Sequence, residues 1–385
     1  MRQFFYQTRN ISGLILIISP ILGAVSADRP FLFFLLLLAG AASSVPVLCA
    51  SLIALPFRRW IRICSLLTLL GLSGLSGLTP QWFSSFSAFL LGMSCGGLLL
   101  LLPPVLTIGW FRRSKTFVLG CVWSCSFLLS FPWQALFRSA EDSILPAACV
   151  AVCGGAFLSI AAGLFLFLQR PPVDYRRREN PLIQGRHSIY ARPSIFTGAL
   201  AAALGIALSL WTASDGAASG SDADTGPENG MISFFLFRLL PLGILSVFPF
   251  LTALFIERKG VFSGCVLLIF LCESTLVCLG SPDGSPLSAV GLYFLAAAAG
   301  GFPVVLPVLV FYLYGFTGYP ESLSRLLFFF PAGLLASLPF CYLAMEGQLS
   351  SQDAAIFLLC LLVLSFFCIF SAWKHRFIIL KNTRM

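Results

Sequence analysis

The sequence predicts an all-α polytopic membrane protein with twelve transmembrane helices arranged as two six-helix bundles. First, 58% of the 385 residues are hydrophobic and only 10% are charged, whereas soluble domains carry roughly 25% charged residues. Second, apolar stretches long enough to cross a ~30 Å hydrocarbon core recur along the whole chain. Third, these stretches are continuously apolar and do not alternate between apolar and polar residues, which predicts helices and not the strands of a barrel.

Short polar segments separate the apolar stretches, and each stretch is predicted to form one span. The twelve predicted spans cover about residues 11–27, 31–56, 61–79, 84–108, 115–137, 143–168, 194–212, 231–256, 261–280, 286–314, 324–345 and 353–373. The first span also fits a cleaved secretory signal, because it has a basic start, an apolar centre and the small-residue end "VSA". Cleavage would leave eleven spans in the same orientation.

Basic residues concentrate in every second loop. The loops after even-numbered spans contain "FRRW", "WFRRSK", "ERKG" and a long Arg-rich segment, and the chain ends "WKHRFIILKNTRM". If these loops and both termini share one side, that side holds every Lys and Arg except Arg29, Arg138 and Arg238. Positive residues stay cytoplasmic, so both termini are predicted to face the cytoplasm, in the cytoplasmic membrane of a bacterium.

The longest cytoplasmic connection divides the spans six and six. Residues 169–193 are rich in Arg and Pro and read as a linker between bundles at 1–168 and 194–385. The halves repeat several positions: Gly96, Gly97 and Pro103 in span 4 have counterparts 204 residues later in span 10, and Pro132 matches Pro339 at a displacement of 207. Those counterparts are Gly300, Gly301 and Pro307. Because a signal peptide would be removed from the first half, this repeat favours retention of the first span.

Residues 89–136, "FLLGMSCGGLLLLLPPVLTIGWFRRSKTFVLGCVWSCSFLLSFPWQAL", combine a small-residue-rich span 4, a "WF" plus basic loop and a Gly-containing span 5. This region, the segment "VDYRRREN" after span 6 and the twelve-span architecture resemble the major facilitator superfamily of secondary transporters. The segment "ALPFRRWIR" (54–62) keeps only the arginines of that family's usual loop after span 2, which normally also carries Gly and Asp. The segment "CVWSCSFLLSFP" (121–132) lacks the Gly-Pro signature of many exporters, so a proton-antiport drug exporter is disfavoured.

The resemblance implies two six-helix bundles around a central cavity that opens to alternate sides of the membrane. Repeat symmetry with a site near the midplane is how one site is exposed in turn. Glycines and prolines of spans 4 and 10 are predicted to serve close helix packing or hinging. They are Gly92, Gly96, Gly97, Pro103, Gly300, Gly301 and Pro307.

Two ionisable residues lie most clearly inside the predicted spans, away from their ends, and at similar depth. Counted along helices of ~1.5 Å rise per residue, Arg238 in "SFFLFRLLPLG" lies roughly 10 Å below the outer face. Glu273 on the next span lies about 12 Å below that face if the hydrocarbon core is ~30 Å thick. Charges at this depth are costly and usually face a cavity or each other.

Three interpretations of this pair stay open. In the first, the Arg238 guanidinium binds an anionic substrate, since its planar fork matches carboxylate or phosphate oxygens, and family members that carry anions often use an arginine on this helix. In the second, Glu273 takes up a proton and couples proton movement to transport, with Arg238 as its partner in one state. In the third, the two side chains form a permanent structural ion pair.

Other polar residues of the spans are candidates for substrate contact. They are Ser94 on span 4, Ser130 and Gln134 on span 5, and Tyr293 on span 10. Arg138, just beyond Gln134 towards the outer face, either attracts an anion at the entrance or is an ordinary loop residue.

The sequence contains no pattern for a cofactor, a metal or nucleic acid. All thirteen cysteines fall in predicted spans and none has a nearby His or carboxylate set, so no metal site is expected. No Walker A motif is present, and no basic array interleaved with aromatic residues suggests nucleic acid. The expected partners are a small-molecule substrate, with an anion favoured, and the lipid bilayer, and the protein is expected to function as a monomer.

The sequence thus predicts a secondary transporter of facilitator type, working as symporter or antiporter, and not an enzyme. Two alternatives belong to other classes. A non-transporting membrane sensor or scaffold would tolerate neutral substitutions at Arg238 and Glu273. A membrane-embedded transferase would need a polar constellation near the interface, and the longest outer loop (213–230) has carboxylates without basic or nucleophilic partners.

The predicted orientation can be measured with reporter fusions. Green fluorescent protein inserted near residue 180 is expected to fluoresce, because it folds in the cytoplasm, whereas alkaline phosphatase there is expected to be inactive. The same reporters near residue 220 are expected to give the opposite pattern. Phosphatase activity at residue 180 would contradict the orientation.

Overall fold

The computed structural model describes residues 2–26, 31–74, 81–111, 114–141, 146–168, 192–207, 240–279, 286–315, 319–345 and 351–382. Within these ranges the chain forms twelve helices and no β-strand. Their bounds are α1 Arg2–Ser26, α2 Phe31–Ala54, α3 Phe57–Ser73, α4 Gln81–Cys95 (continuing to Trp110), α5 Lys115–Glu141, α6 Pro146–Ala162 (continuing to Phe167), α7 Arg192–Ala207, α8 Leu240–Lys259, α9 Val261–Leu279, α10 Pro286–Tyr314, α11 Tyr319–Met345 and α12 Ser351–Asn382.

Among the described residues, nine of the twelve helices are long and apolar enough to cross a membrane, the exceptions being α3, α7 and α12. The prediction of an all-α polytopic membrane protein with twelve helices is therefore confirmed. Two helices extend furthest beyond their predicted spans: α1 begins at Arg2 and α12 ends at Asn382. Neither extension contains Gly or Pro, so nothing stops the helix where the apolar stretch ends.

The described chain forms two compact units. The first is built from residues between Met1 and Gly185 together with Tyr314–Pro331, and the second from residues between Arg186 and Leu313 together with Ala332–Met385. The start of α11 thus belongs to the first unit, where the Cys49 Sγ of α2 donates to the Pro320 carbonyl at 3.0 Å. The proposed division at residues 169–193 stays a prediction.

In the first unit, α1 packs along α5 and α6, α2 packs along α4, and α3 packs on α4 and α6. Glycines make these contacts close. A Cβ on Gly92 of α4 would overlap the Leu37 carbonyl of α2, and one on Gly40 of α2 would overlap the Phe89 carbonyl of α4. Small residues allow such backbone approach, which lipid-embedded helices use because burying apolar side chains against each other gains little over lipid.

The second unit repeats the glycine contact of α2 and α4 in α8 and α10. The residues around Gly96 are on α2, namely Ala41, Ser44 and Val45. The residues around Gly300 are on α8 and lie 204 positions after those, namely Leu245, Phe248 and Pro249.

The neighbouring glycines repeat the contact of three helices. Gly97 lies against Leu48 of α2 and Cys64 of α3. The corresponding neighbours of Gly301 are again displaced by 204, namely Thr252 of α8 and Leu268 of α9. The internal repeat is therefore a repeat of contacts between equivalent residue positions, which is stronger evidence of duplication than matching Gly and Pro letters.

The fifth helices of the halves follow the same displacement. Gly23 of α1 lies against Ser130 and Trp133 of α5. Gly205 of α7 lies against Leu334 and Ser337 of α11, which are 204 positions after Ser130 and Trp133, although Gly205 itself is 182 positions after Gly23. At this displacement the position equivalent to Pro132 is Ala336 rather than Pro339, so the predicted match of the two prolines is wrong by three residues.

Short connections reverse the chain between some helices. Gly260, with φ of 89°, ends α8, and its N–H donates to the Ile256 carbonyl at 2.8 Å. The left-handed backbone conformation is inexpensive only for glycine. It allows α9 to begin at the next residue.

The close glycine contacts predict a difference between two Gly→Ala variants. Gly92→Ala is expected to lower the melting temperature of the purified protein by at least about 3 °C, because overpacking costs about 1–3 kcal/mol. Gly154→Ala is the control, since no atom lies within 4 Å of a Cβ there, and alanine favours a helix by up to ~1 kcal/mol over glycine. Equal destabilisation of both variants would contradict the packing.

Candidate functional site

Most described hydroxyl groups in the spans are satisfied within their own helix. Ser126 donates to the Val122 carbonyl at 2.7 Å, Thr275 to the Leu271 carbonyl at 2.9 Å, and Ser246 to the Leu242 carbonyl at 2.9 Å. Such back-bonding uses the hydroxyl proton and leaves oxygen lone pairs. These groups are therefore available to a solute as acceptors rather than as donors.

Ser94 is one of the predicted contact residues and lies between two helices. Its side chain is fully buried, and its hydroxyl is hydrogen-bonded to that of Thr68 on α3. Thr68 also donates to the Cys64 carbonyl at 2.8 Å, so Ser94 donates to Thr68. The pair links α3 to α4, and sequence analysis missed Thr68, whose only signal was a hydroxyl in an apolar span.

Ser130 and Gln134 are the predicted contact residues that the described structure brings side by side. They lie one turn apart on α5, where Gly23 of α1 approaches the backbone carbonyl of Ser130 and the backbone nitrogen of Gln134. Ser130 is buried and donates to the Phe127 carbonyl at 2.7 Å. Gln134 is half-buried, so its side-chain amide is more accessible than the hydroxyl of Ser130.

Arg138 lies one turn beyond Gln134, in the last turn of α5. Its side chain is half-buried rather than extended into solvent. A cation at this position also lies where the partial negative charge of the helix C-terminus stabilises it. Arg138 is therefore part of the helix, and not of a loop.

Glu273 and Tyr293 belong to the second unit, on α9 and α10 respectively. Glu273 shares a face of α9 with Phe270 and Val277, which are 58% and 76% exposed, because residues three and four apart lie on one helix face. The opposite face, which includes Leu268 and Cys272, is buried. The Glu273 carboxylate therefore lies at the side of α9 that faces away from the core of its unit, and Tyr293 is half-buried on α10.

Arg238, the leading predicted contact, lies in 208–239, outside the described residues. Neither a contact with Glu273 nor its absence is described for this side chain. The three interpretations of the pair therefore stay predictions.

The predicted hinge region of α4 departs from regular helix. Gly96–Leu101 forms a π-helical segment between Cys95 and Leu102. Pro103 and Pro104 follow it, and neither has an N–H to bond the carbonyl four residues earlier. Single π-helical turns are frequent at functional sites. Pro307 in α10 occupies the place of Pro103, but α10 stays α-helical there.

Two residues before the first apolar stretch fix the ends of other helices, and sequence analysis missed both. The Gln7 Nε2 donates to the Trp110 carbonyl at 3.2 Å, and the Arg9 guanidinium donates to the Leu166 carbonyl. The last carbonyls of a helix have no partner within it. The polar start of α1 thus satisfies carbonyls at the ends of α4 and α6. In the sequence, the polar cluster "QTRN" ahead of the first apolar stretch is the feature that could have indicated this role.

Among the described residues, no group of three or more His, Cys, Asp or Glu side chains is placed to hold a metal ion.

Comparison with solved structures identifies the fold. A structure described as a major facilitator superfamily transporter, FucP, in the outward conformation matches 96% of this chain and 98% of its own, with 13% identity and a TM-score of 0.62. The E. coli fucose:proton symporter FucP (N162A) matches 96% and 97%, with 13% identity and a TM-score of 0.60. The human organic anion transporter MFSD10 (TETRAN) matches 96% and 99%, with 15% identity and a TM-score of 0.67. No family model and no curated protein sequence matches the chain.

The buried hydroxyl pair predicts an energetic coupling between α3 and α4. Ser94→Ala and Thr68→Val are each expected to lower the free energy of unfolding by about 1 kcal/mol. The double variant is expected to be more stable than the sum of the two losses by about 0.5–1 kcal/mol, as for residues in direct contact. Ser126→Ala is a control for loss of a buried hydroxyl that bonds within its own helix. Strictly additive losses would contradict the pairing.

Proposed function

We propose, on the basis of the major facilitator superfamily fold that this chain has, that the protein is a secondary transporter moving a small solute by alternating access. The observation that carries the proposal is the fold match over 96% of the chain to two FucP structures and to MFSD10. Contacts that recur at a displacement of 204 residues support it independently, since alternating access relies on structural repeats around one site.

The substrate that we propose is an organic or inorganic anion. Arg238 stands alone in the apolar run "SFFLFRLLPLG", and the cost of placing a guanidinium there is offset if it binds a carboxylate or phosphate. Arg138 adds a second positive charge in the last turn of α5. Of the three similar structures, MFSD10 is described as an organic anion transporter and FucP as a fucose:proton symporter, so a neutral sugar is the competing class.

Ser130, Gln134 and Tyr293 are proposed to orient the solute. The Gln134 amide supplies both donors and an acceptor, whereas the Ser130 hydroxyl proton is already used within α5. The Ser94 proton is likewise used by Thr68, so its contribution to substrate binding is expected to be small.

Glu273 is proposed to couple transport to protons. Its carboxylate is half-buried and lies on the face of α9 that points away from the core of its unit. An ionised carboxylate at this depth costs several kcal/mol, and protonation removes that cost. Arg238 is its proposed partner in the substrate-free state, and an anion would displace Glu273 from it.

The proposed location is the cytoplasmic membrane of a bacterium, with both termini in the cytoplasm. The protein is proposed to function as a monomer, because one chain supplies both halves of the repeat.

Transport by reconstituted protein tests these roles. Uptake and counterflow of a panel of labelled organic and inorganic anions, with fucose as the neutral comparison, are measured in proteoliposomes with and without a pH gradient. Arg238→Gln is expected to raise the half-saturating anion concentration by at least about tenfold, because it removes a charge-assisted contact. Glu273→Gln is expected to keep counterflow and to abolish the effect of the pH gradient.

Two variants complete the design. Ser274→Ala, next to Glu273, loses a hydroxyl that bonds to the Phe270 carbonyl and is expected to behave as wild type. Recovery of transport in the double variant Arg238→Gln/Glu273→Gln, when Arg238→Gln alone fails, would mean a structural ion pair and a substrate site elsewhere. Movement of no solute by folded wild-type protein would favour a sensor or scaffold.

A further inference from the structure

Helix α3 is divided lengthwise into a buried face and an exposed face. At 3.6 residues per turn, the exposed positions fall on one side of the helix. They are Arg58, Arg59, Arg62, Ile63, Leu66, Leu69 and Leu70. The buried positions fall on the other side, against α2, α4 and α6. They are Trp60, Ile61, Cys64, Ser65, Thr68, Gly71 and Leu72.

The exposed face changes character along its length. Its cytoplasmic end carries the three arginines, and aliphatic side chains follow on the same side for the rest of the helix. Ile63, Leu66 and Leu69 are 40%, 57% and 42% exposed. The basic end lies at the predicted inner boundary of the membrane, so the arginines are at the level of the cytoplasmic headgroups and the aliphatic strip is at the level of the acyl chains.

The three guanidinium groups make no ion pair or side-chain hydrogen bond to any residue in the described part of the chain. Elsewhere, Arg325 on α11 is paired with Glu321 at 2.7 Å. On α8, Arg258 and Lys259 directly follow Glu257. Within the part of the chain that the structure describes, the start of α3 is thus a cluster of three like charges without a compensating carboxylate.

Two aromatic residues, of which Trp60 is buried, hold this turn in place. Trp60 is fully buried, and its Nε1 donates to the Leu48 carbonyl of α2 at 2.9 Å. Phe57 stacks on Trp60 with ring centroids 6.4 Å apart and an interplanar angle of 8°. The arginines on the opposite side therefore project from a fixed backbone, which lowers the entropy lost when they bind a ligand.

The second half of the chain does not repeat this face. At the displacement of 204 residues, Arg58, Arg59 and Arg62 correspond to Phe262, Ser263 and Val266. Phe262 instead packs against Trp373 of α12, with ring centroids 5.2 Å apart. Of the two halves, only the first therefore carries the arginine face.

We propose that the exposed face of α3 binds an anionic phospholipid of the cytoplasmic leaflet. The guanidinium groups of Arg58, Arg59 and Arg62 contact the headgroup phosphate, for which their donor geometry is suited. An acyl chain lies along Ile63, Leu66, Leu69 and Leu70. Clusters of basic residues beside a span recognise anionic lipid headgroups, and the adjoining aliphatic strip selects a lipid over a soluble phosphate.

Native mass spectrometry of the full-length protein tests this site. The protein in detergent is equilibrated with equal amounts of phosphatidylglycerol and phosphatidylcholine of matched acyl chains, and the ratio of the two lipids in the singly bound species is measured. In wild type this ratio is expected to favour phosphatidylglycerol. Arg58→Gln/Arg59→Gln/Arg62→Gln is expected to lower the ratio by at least about tenfold, and the corresponding triple Lys variant by less than about threefold, because lysine keeps the charge.

The matched control is Arg258→Gln/Lys259→Gln, which removes two exposed charges from another cytoplasmic helix end and is expected to change the ratio by less than about twofold. An equal loss in this control would overturn the proposal in favour of diffuse surface charge, as would an unchanged ratio in the triple Gln variant. Displacement of phosphatidylglycerol by an equal concentration of inorganic phosphate would also overturn it. Should the triple variant fail to fold, each single Gln variant is expected to lower the ratio by about threefold.

Discussion

Close approach of helix backbones at glycines is the constraint on which this structure depends. In lipid, apolar side chains gain little by contacting each other, so helices associate through tight packing and a few hydrogen bonds. Gly40 and Gly92 bring α2 and α4 together, and Gly13 and Gly163 do the same for α1 and α6. The recurrence of such contacts around Gly300 on α10 indicates that a duplicated chain conserves where backbones meet more strictly than which side chains meet.

The apolar interior also restricts where chemistry can occur. Buried hydroxyls such as Ser126 and Thr275 donate to their own helices, and Ser94 donates to Thr68 between helices. Hydroxyl protons of this kind are already used, so the proposed transport function relies on a few groups with larger effects. A guanidinium, a carboxylate and a side-chain amide, those of Arg238, Glu273 and Gln134, are the groups of that kind in the proposed site.

The two halves share their packing but differ in the surfaces they present. The face of α3 carries three arginines, whereas the corresponding positions of α9 are apolar or neutral and Phe262 packs on α12. In α4 a π-helical segment precedes Pro103, whereas α10 stays α-helical before Pro307. A proposed lipid site at one half and a proposed proton-linked carboxylate in the other are differences of this kind, laid over a common framework that glycines maintain.

The sequence by itself determined the number, order and type of the helices, because continuous apolar stretches and the distribution of Lys and Arg are local properties that the bilayer converts into topology. The rotation of each helix about its axis was decided only by tertiary structure. In a soluble protein the polar face marks the outside, but here the face towards lipid and the face towards neighbouring helices are both apolar. The contact of Ser94 on α4 with α3, and the position of Glu273 on the outward side of α9, therefore could not be predicted from sequence. They depend on how each helix is turned about its axis, which the glycine contacts fix.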